Sequence, residues 1–175
     1  MNYGVVVVGY QGIGKSTTAS KHVDVVDLES SNFYTNGKRN ADWYKAYCNI
    51  AVDLASQGYV VFTSSHKEVR EYLTKTIHVP SNVKIICCVP DIHLKDQWVN
   101  RLWDRWRSSQ LDKDFKAYAN AEDRFEANVS EIKDDIDSCC ELHSLEYNLY
   151  EELEKFFKIH GIDHGIYNLG HKVTA

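Results

Sequence analysis

A short segment near the start of the chain has the residue types and spacing needed to bind phosphate. Residues 9 to 16, GYQGIGKS, fit the pattern G-x-x-x-x-G-K-[ST] at every fixed position. The glycines allow backbone conformations that turn successive N–H groups toward an anion. Lys15 is placed to reach the β- and γ-phosphates of a nucleoside triphosphate, and the Ser16 hydroxyl to ligate Mg²⁺. The predicted phosphate-binding residues are Gly9, Gly12, Ile13, Gly14, Lys15, Ser16 and Thr17.

The segments on either side are those that position such a loop. The run Val5 to Val8 is β-branched and bounded by glycine, which is typical of a buried parallel strand. Residues 15 to 20 can open a helix, whose N-terminus carries unpaired N–H groups and the positive end of the helix dipole. A glycine-rich turn that matched by accident would not require this order of strand, loop and helix. We therefore predict that the loop joins a first strand to a first helix.

Two carboxylates follow the next predicted strand. The apolar pattern of residues 23 to 28 predicts a second strand, with Asp27 and Glu29 at its carboxyl end. In an open α/β sheet the ligand crevice lies at the carboxyl ends of the strands. We expect these two carboxylates to be catalytic, by holding a substrate donor or accepting a proton from a substrate hydroxyl, and Asp27 to help bind Mg²⁺. The alternative is an acidic turn that caps the next helix.

The third predicted strand, residues 59 to 64, has no carboxylate at its end. Ser64, Ser65 and His66 follow it instead, so the apolar run that ends in Asp, common in nucleotide-binding proteins, is missing from this strand. Protein ligands for Mg²⁺ must therefore come from Ser16 and the region of Asp27. Between the second and third strands, residues 33 to 57 form an insert with an Asn36–Gly37 turn, an amphipathic helix from residue 43 to 54, and two loop cations, Lys38 and Arg39.

A tryptophan- and arginine-rich helix is the second segment where we expect chemistry. In residues 94 to 107, an apolar residue recurs every four positions, and Arg101 and Arg105 are also four apart. Like charges at this spacing destabilise an isolated helix, and a bound anion would offset that effect. Arginine grips phosphate oxygens in pairs, so both arginines are predicted to be catalytic. The alternative is that Asp96 and Asp104 pair with them on a surface helix.

Composition limits the remaining possibilities. The chain has 175 residues, 43% of them apolar and only two prolines, which predicts one domain over residues 1 to 175. It starts with neither a secretory signal nor a membrane segment, and its five cysteines do not form a C-x-x-C motif, which favours a cytoplasmic protein with reduced thiols. Residues 112 to 158 carry 14 acidic and 6 basic side chains, which argues against wrapping nucleic acid. Further elements are predicted at 67 to 76 (helix), 83 to 89 (strand), 115 to 136 (helix), 141 to 145 (strand) and 147 to 157 (helix).

The loop, the strand-two carboxylates, the insert and the arginine-bearing helix together resemble P-loop kinases of the nucleoside monophosphate kinase type, especially the compact nucleotide kinases of phages. The resemblance implies an α/β fold of the three-layer P-loop NTPase kind, with a parallel five-stranded sheet of order 2-3-1-4-5 between helices. It also implies an acceptor-binding insert at about 30 to 57 and a lid at about 91 to 110.

The same resemblance implies a function. ATP and Mg²⁺ would donate a phosphoryl group to a nucleotide-like acceptor, foremost a (deoxy)nucleoside monophosphate, with Lys15, Asp27, Glu29, Arg101 and Arg105 as catalytic residues. The protein would act without a membrane, as a monomer or homodimer in the cytoplasm, or in the host cytoplasm if a phage encodes it. Two alternatives stay open: a kinase of hydroxymethyluracil within phage DNA, and a non-catalytic module that senses ATP.

Overall fold

Five strands form a parallel sheet, and two shorter ones form a separate antiparallel hairpin. The computed structural model describes residues 3–35 and 38–164, and all element bounds refer to that part of the chain. The strands are β1 (Gly4–Gly9), β2 (Val25–Asp27), β3 (Tyr34–Thr35), β4 (Lys38–Arg39), β5 (Val60–Thr63), β6 (Val83–Pro90) and β7 (Cys139–Leu142). The sheet has the order β2-β5-β1-β6-β7, and β3 pairs with β4.

The central strand is β1, and its sequence explains that position. All four of its valines are completely buried, as expected for a parallel strand that is covered on both faces. Near its end, Val8 is in register with Thr63 of β5 and with Cys87 of β6. The carboxyl end of β1, where the glycine loop begins, is therefore held by a neighbouring strand on each side.

The helices pack against the sheet in two groups. They are α1 (Lys15–Lys21), α2 (Trp43–Ser56), α3 (Lys67–Glu71), α4 (Lys95–Ser109), α5 (Asp112–Asp135) and α6 (Leu149–Ile159). In the first group, α1 contacts α6. In the second group, α2 contacts β1 and β5, and α5 contacts α3 and β6. From β1 the chain moves outward to β2 through α1 and then returns through α2 to β5. Because parallel crossovers are right-handed, opposite directions of travel place these helices on opposite faces.

The α/β class and the five-stranded parallel sheet between helices are confirmed. The numbering of the strand order differs from the prediction of 2-3-1-4-5, because the hairpin strands β3 and β4 intervene between β2 and β5 in the sequence. Each hairpin strand has only two residues, which is too short for the alternation that identifies strands in a sequence. The predicted Asn36–Gly37 turn lies outside the described residues.

Several element boundaries also differ from the predicted ones. The last strand begins at Cys139 and not at residue 141, because Cys139 and Cys140 are in register with Cys87 and Cys88 of β6. The long helix begins at Asp112 and is kinked at Arg124. All five cysteines have free thiols, and four of them form these two neighbouring pairs on adjacent strands. Within residues 3–35 and 38–164, no helix has both the length and the apolar character needed to cross a membrane.

Candidate functional site

The loop between β1 and α1 has the backbone conformation that its glycines predict. Gly12 has φ +84° and Gly14 has φ +104°, and such values are rare in residues with a side chain. A Cβ on Gly12 would also lie 3.0 Å from Cδ2 of Leu102 in α4. The side chain of Ile13, which lies between the two glycines, is buried in the core. The contribution of Ile13 to a ligand is therefore limited to its backbone.

Lys15 folds back across the loop. Its ammonium donates to the carbonyl of Gly9 at 3.2 Å and to the carbonyl of Thr63 at 3.5 Å. A Cβ on Gly9 would lie 2.7 Å from Cδ1 of Ile13 and 3.0 Å from Cδ of this lysine, so the absence of a side chain at position 9 makes room for both side chains. Burial lowers the pKa of Lys15, and the carboxylates of Asp27 and Glu29 oppose that shift. The loop lysine and the strand-two carboxylates therefore lie close enough to interact electrostatically.

The start of α1 provides hydroxyl groups beside this lysine. Ser16 and Thr17 occupy its first turn, and both residues are exposed. The residue that caps the helix is Gly14, which has no side chain, so no side-chain oxygen bonds to the first N–H groups. The helix N-terminus is thus open toward a ligand, as an anion-binding site requires.

Three consecutive carbonyls of the loop are bound by side chains from other segments. The indole N–H of Trp98 donates to the carbonyl of Gln11 at 2.8 Å, Arg101 donates to Gly12 at 3.2 Å, and the Tyr147 hydroxyl donates to Ile13 at 2.7 Å. The guanidinium of Arg101 also donates to the Tyr147 hydroxyl at 2.9 Å and to the carbonyl of Leu145 at 2.7 Å. We call Trp98, Arg101 and Tyr147 the carbonyl clamp.

Arg101, predicted to lie on a lid, contacts the loop in this structure. Its guanidinium lies over the rings of Trp98 and Tyr147, 4.5 and 5.4 Å from their centroids. Trp98 is completely buried. The helix that carries Arg101 is therefore bonded to the loop in this structure, through the carbonyl of Gly12.

The second arginine of α4 has a separate partner. Nε of Arg105 lies 3.0 Å from Oδ1 of Asp114, a buried carboxylate at the start of α5 that also accepts from the Ser109 hydroxyl. The ion pair of Arg105 is therefore with Asp114, and not with Asp96 or Asp104. Arg105 contributes to lowering the pKa of Lys15, which places its positive charge near the loop lysine. Arg105 is thus both a counter-ion for Asp114 and a cation beside the loop.

The strand-two carboxylates lie together at the end of β2. Asp27 is in register with Phe62 of β5, and the N–H of Leu28 donates to the Phe62 carbonyl at 3.0 Å. Partial burial raises the pKa of Asp27, with Lys15 opposing the shift and Glu29 adding to it by its charge and a hydrogen bond. A carboxyl pair that shares a hydrogen bond can take up or release a proton closer to neutral pH than a single exposed carboxylate.

A chain of hydrogen bonds begins at the backbone carbonyl of Leu28, between these two residues, and crosses the end of β5. The hydroxyl of Tyr47 donates to the carbonyl of Leu28 at 2.6 Å and accepts from the N–H of Ser64 at 2.8 Å. Nδ1 of His66 lies 2.8 Å from the Ser64 hydroxyl, and Nε2 of His66 lies 3.3 Å from Arg39 of the hairpin. Arg39 therefore connects the insert to the crevice edge, where the sequence predicts a cation for an acceptor.

The protonation of His66 follows from its neighbours. Burial lowers the pKa of His66, and the positive charge of Arg39 lowers it further. Because arginine only donates, Nε2 of a neutral His66 accepts from Arg39 and Nδ1–H donates to Ser64. The hydroxyl hydrogen of Ser64 can then point into the crevice. The ring of His66 also lies edge-on to Trp43, 5.3 Å between centroids, and Arg39 lies over the same indole at 4.5 Å.

Two residues of this site are not evident from the sequence. Lys113, in the first turn of α5, is close enough to Asp27 to oppose the rise in its pKa. Tyr147 lies at the predicted start of the last helix, and its bond to the carbonyl of Ile13 is not anticipated there. Both residues are far in sequence from their partners, and neither belongs to a local pattern, so the sequence carries no signal for them.

The residues present fit a nucleotide and a magnesium ion without a preformed protein cage. In residues 3–35 and 38–164 no group of three or more His, Cys, Asp or Glu side chains could hold a metal ion. Mg²⁺ often retains water and takes one or two protein ligands together with substrate phosphates. The Ser16 hydroxyl and the Asp27 carboxylate are oxygen ligands of the kind that would serve such an ion, and the positive-φ glycines of the loop fit a phosphate chain.

Comparison with known proteins does not assign the chain to a family. No model of a protein family matches the sequence, and no curated protein matches it significantly. The functional conclusion therefore has to come from the geometry of the site.

Proposed function

We propose that this protein transfers the γ-phosphoryl group of ATP to a nucleotide-like acceptor, within a fold of the P-loop kinase type. The observation that carries the proposal is the position of Lys15, which folds over a positive-φ glycine loop and interacts with the Asp27 and Glu29 carboxylates. A phosphate-binding loop opposite a carboxyl pair is an arrangement suited to phosphoryl transfer, in which the protein mainly positions and neutralises the reacting groups.

The donor side supplies charge and N–H groups. Lys15 would leave its carbonyl partners and contact the β- and γ-phosphates, while the N–H groups of the loop and of the first turn of α1 surround them. Mg²⁺, held by Ser16 and Asp27, would neutralise charge on the phosphate oxygens. Arg105 adds a further positive charge beside Lys15.

The acceptor side supplies orientation. An acceptor oxygen attacks the γ-phosphorus, the bond to the bridging oxygen breaks, and ADP leaves with the bonding electrons. We propose a (deoxy)nucleoside monophosphate as the acceptor, since Arg39 can meet its phosphate from the hairpin. Asp27 or Glu29 then holds a donor group of the acceptor. Phosphate as the nucleophile requires no proton removal.

A hydroxyl acceptor is the second candidate, and one observation favours it. The raised pKa of Asp27 suits a group that takes a proton from an attacking hydroxyl. Hydroxymethyluracil within DNA is an acceptor of this kind. In that reaction the hydroxyl oxygen forms the new bond to phosphorus, and its proton passes to the carboxylate.

An acceptor screen tests the proposal. The protein is incubated with γ-labelled ATP and Mg²⁺ together with nucleosides, nucleoside monophosphates, or oligonucleotides with and without hydroxymethyluracil. Labelled monophosphate products support the first acceptor class, and labelled DNA supports the second. Tight ATP binding without any labelled product would favour the third possibility, an ATP-sensing module. The absence of ATP binding would overturn the proposal.

A further inference from the structure

We propose that the carbonyl clamp, Trp98, Arg101 and Tyr147, is a set of positioning residues that holds the loop in its phosphate-binding form before any nucleotide arrives. The inference rests on the proposed function, because it assigns the loop to phosphate. It concerns a feature of this chain that the loop motif does not contain. The clamp residues belong to α4 and to the segment before α6, far from the loop in sequence.

The geometry of the peptide bond links the clamp to the ligand side of the loop. In a planar trans peptide, the carbonyl of one residue and the N–H of the next point in opposite directions. The described backbone has no cis peptide. Since the carbonyls of Gln11, Gly12 and Ile13 are held toward the clamp, the N–H groups of Gly12, Ile13 and Gly14 point to the other side. Three consecutive N–H groups that share one direction form an anion-binding concavity.

The clamp is built to keep this orientation without a ligand. Burial raises the pKa of Tyr147 to about 12, so its hydroxyl stays protonated and can donate to Ile13. The rings of Trp98 and Tyr147 are nearly parallel, with an angle of 3° between their planes, and Arg101 contacts both. Each clamp residue therefore supports the other two as well as one loop carbonyl.

A loop that is already ordered binds phosphate more tightly than one that must be ordered on binding. Loss of one clamp bond should therefore appear mainly as weaker ATP binding. The same phosphates are held before and during transfer, so KM for ATP should rise more than kcat falls.

Tyr147→Phe and Tyr150→Phe form a matched pair for the test. Each removes one hydroxyl, but the Tyr147 hydroxyl bonds to the loop, whereas the Tyr150 hydroxyl bonds to Asp24 in front of β2. For Tyr147→Phe we expect the Kd and KM for MgATP to rise about tenfold with kcat within about threefold of wild type, a factor that corresponds to one lost hydrogen bond. Tyr150→Phe should leave both constants unchanged.

Amide hydrogen exchange of the nucleotide-free protein provides a second readout. The peptide that covers residues 10 to 18 should exchange faster in Tyr147→Phe and Arg101→Ala than in wild type, with a smaller change in Arg101→Lys, because lysine restores the charge and one donor. Exchange in that peptide should not change in Tyr150→Phe.

The outcomes separate the two claims. If Tyr147→Phe and Tyr150→Phe show the same ATP affinity and the same loop exchange as wild type, the clamp proposal is overturned while the proposed function stands. If wild type does not bind MgATP, the proposed function is overturned, and the assignment of the clamp to a phosphate loop is overturned with it.

Discussion

The proposed donor and acceptor sides of the site consist of different chemical groups. On the proposed donor side, backbone N–H groups would face the ligand, and the conformation of the loop depends on glycines and on side chains that bind carbonyls. The proposed acceptor side instead has ionisable side chains from three separate segments: Asp27 at the end of β2, and His66 after β5, which contacts Arg39 of the hairpin. Binding on the proposed donor side thus depends on the backbone conformation of the loop. Transfer on the proposed acceptor side depends on the protonation of side chains.

This difference predicts how each side responds to change. A substitution on the donor side should alter ATP binding with little dependence on pH, because backbone N–H groups do not titrate. A substitution on the acceptor side should alter transfer and its pH dependence while ATP still binds. Substitutions of Lys15, Asp27, Gly12 and Arg105 test that division.

The largest effect is expected for Lys15, whose ammonium lies across the glycine loop. Lys15→Ala should reduce ATP turnover by at least about a hundredfold, the scale seen when a preorganised positive donor is removed from a transition state. Initial rates with the acceptor identified by the screen provide the measurement. Lys21→Ala, an exposed lysine at the other end of α1, is the control. Full activity of Lys15→Ala would contradict the assignment of the loop to the phosphoryl donor.

Asp27→Asn should separate transfer from ATP binding. We expect acceptor phosphorylation to fall while the Kd for ATP measured without Mg²⁺ stays close to wild type, because the loop is unchanged. With a hydroxyl acceptor the fall should reach about a hundredfold, the lower range for loss of a proton-transfer group. The wild-type rate should fall as pH decreases through the raised pKa of Asp27, and the variant should lack this decrease. Equal pH profiles for the two proteins would contradict an acceptor side that depends on protonation.

The same variant has an expected effect on stability. Because the pKa of Asp27 is raised on folding, the folded protein holds a proton that the unfolded chain has already lost, and stability falls as pH rises through this window. Asp27→Asn removes that penalty. At pH 7 its free energy of unfolding should equal or exceed that of wild type, with the difference disappearing below about pH 3.9. Urea unfolding at both pH values is the measurement.

A glycine pair tests the dependence of the donor side on shape. Gly12 and Gly58 both have positive φ, but a Cβ on Gly12 would contact Leu102, whereas a Cβ on Gly58 meets no atom within 4 Å. Both alanine variants should lose roughly 1 kcal/mol of stability from backbone strain. Only Gly12→Ala should weaken ATP binding, by at least about tenfold at every pH tested. Equal ATP affinity in both variants would show that the loop tolerates a change of shape.

The smallest effect is expected for Arg105, which lies near Lys15 and also pairs with Asp114. Arg105→Ala should lower kcat about tenfold and leave the Kd for ATP nearly unchanged, because its charge acts as the transferred group becomes more negative. Its melting temperature should also fall, since buried Asp114 loses its cation. Arg107→Ala, an exposed neighbour, is the control. If kcat is unchanged while the melting temperature falls, the role of Arg105 is limited to its ion pair with Asp114.

The conformation of the glycine loop was predictable because its constraints are local. Residues 9 to 16 are consecutive, and each fixed position answers a need of the backbone or of its immediate neighbour, such as the room that Gly9 leaves for Lys15. The position of Asp27 was predictable for a related reason. Its strand is recognisable from the valines before it, and the end of a parallel strand defines the crevice.

The partners of the arginines were not predictable. The spacing of Arg101 and Arg105 correctly places both on α4, but periodicity identifies a face of a helix and not what that face contacts. Arg101 binds the loop and Tyr147, which is 46 residues away, and Arg105 binds a residue of the next helix. The hairpin that carries Arg39 was missed because its strands are too short to show alternation.

Each side of the crevice also contains an optical probe. Trp98 has Arg101 over its ring on the donor side, and Trp43 has Arg39 over its ring on the acceptor side, both 4.5 Å from the centroid. Indole fluorescence responds to nearby charge and to hydrogen bonding at the ring nitrogen. The other two tryptophans contact each other on α4 and can be replaced by phenylalanine. In that background, donor and acceptor binding would be followed separately in one unlabelled protein.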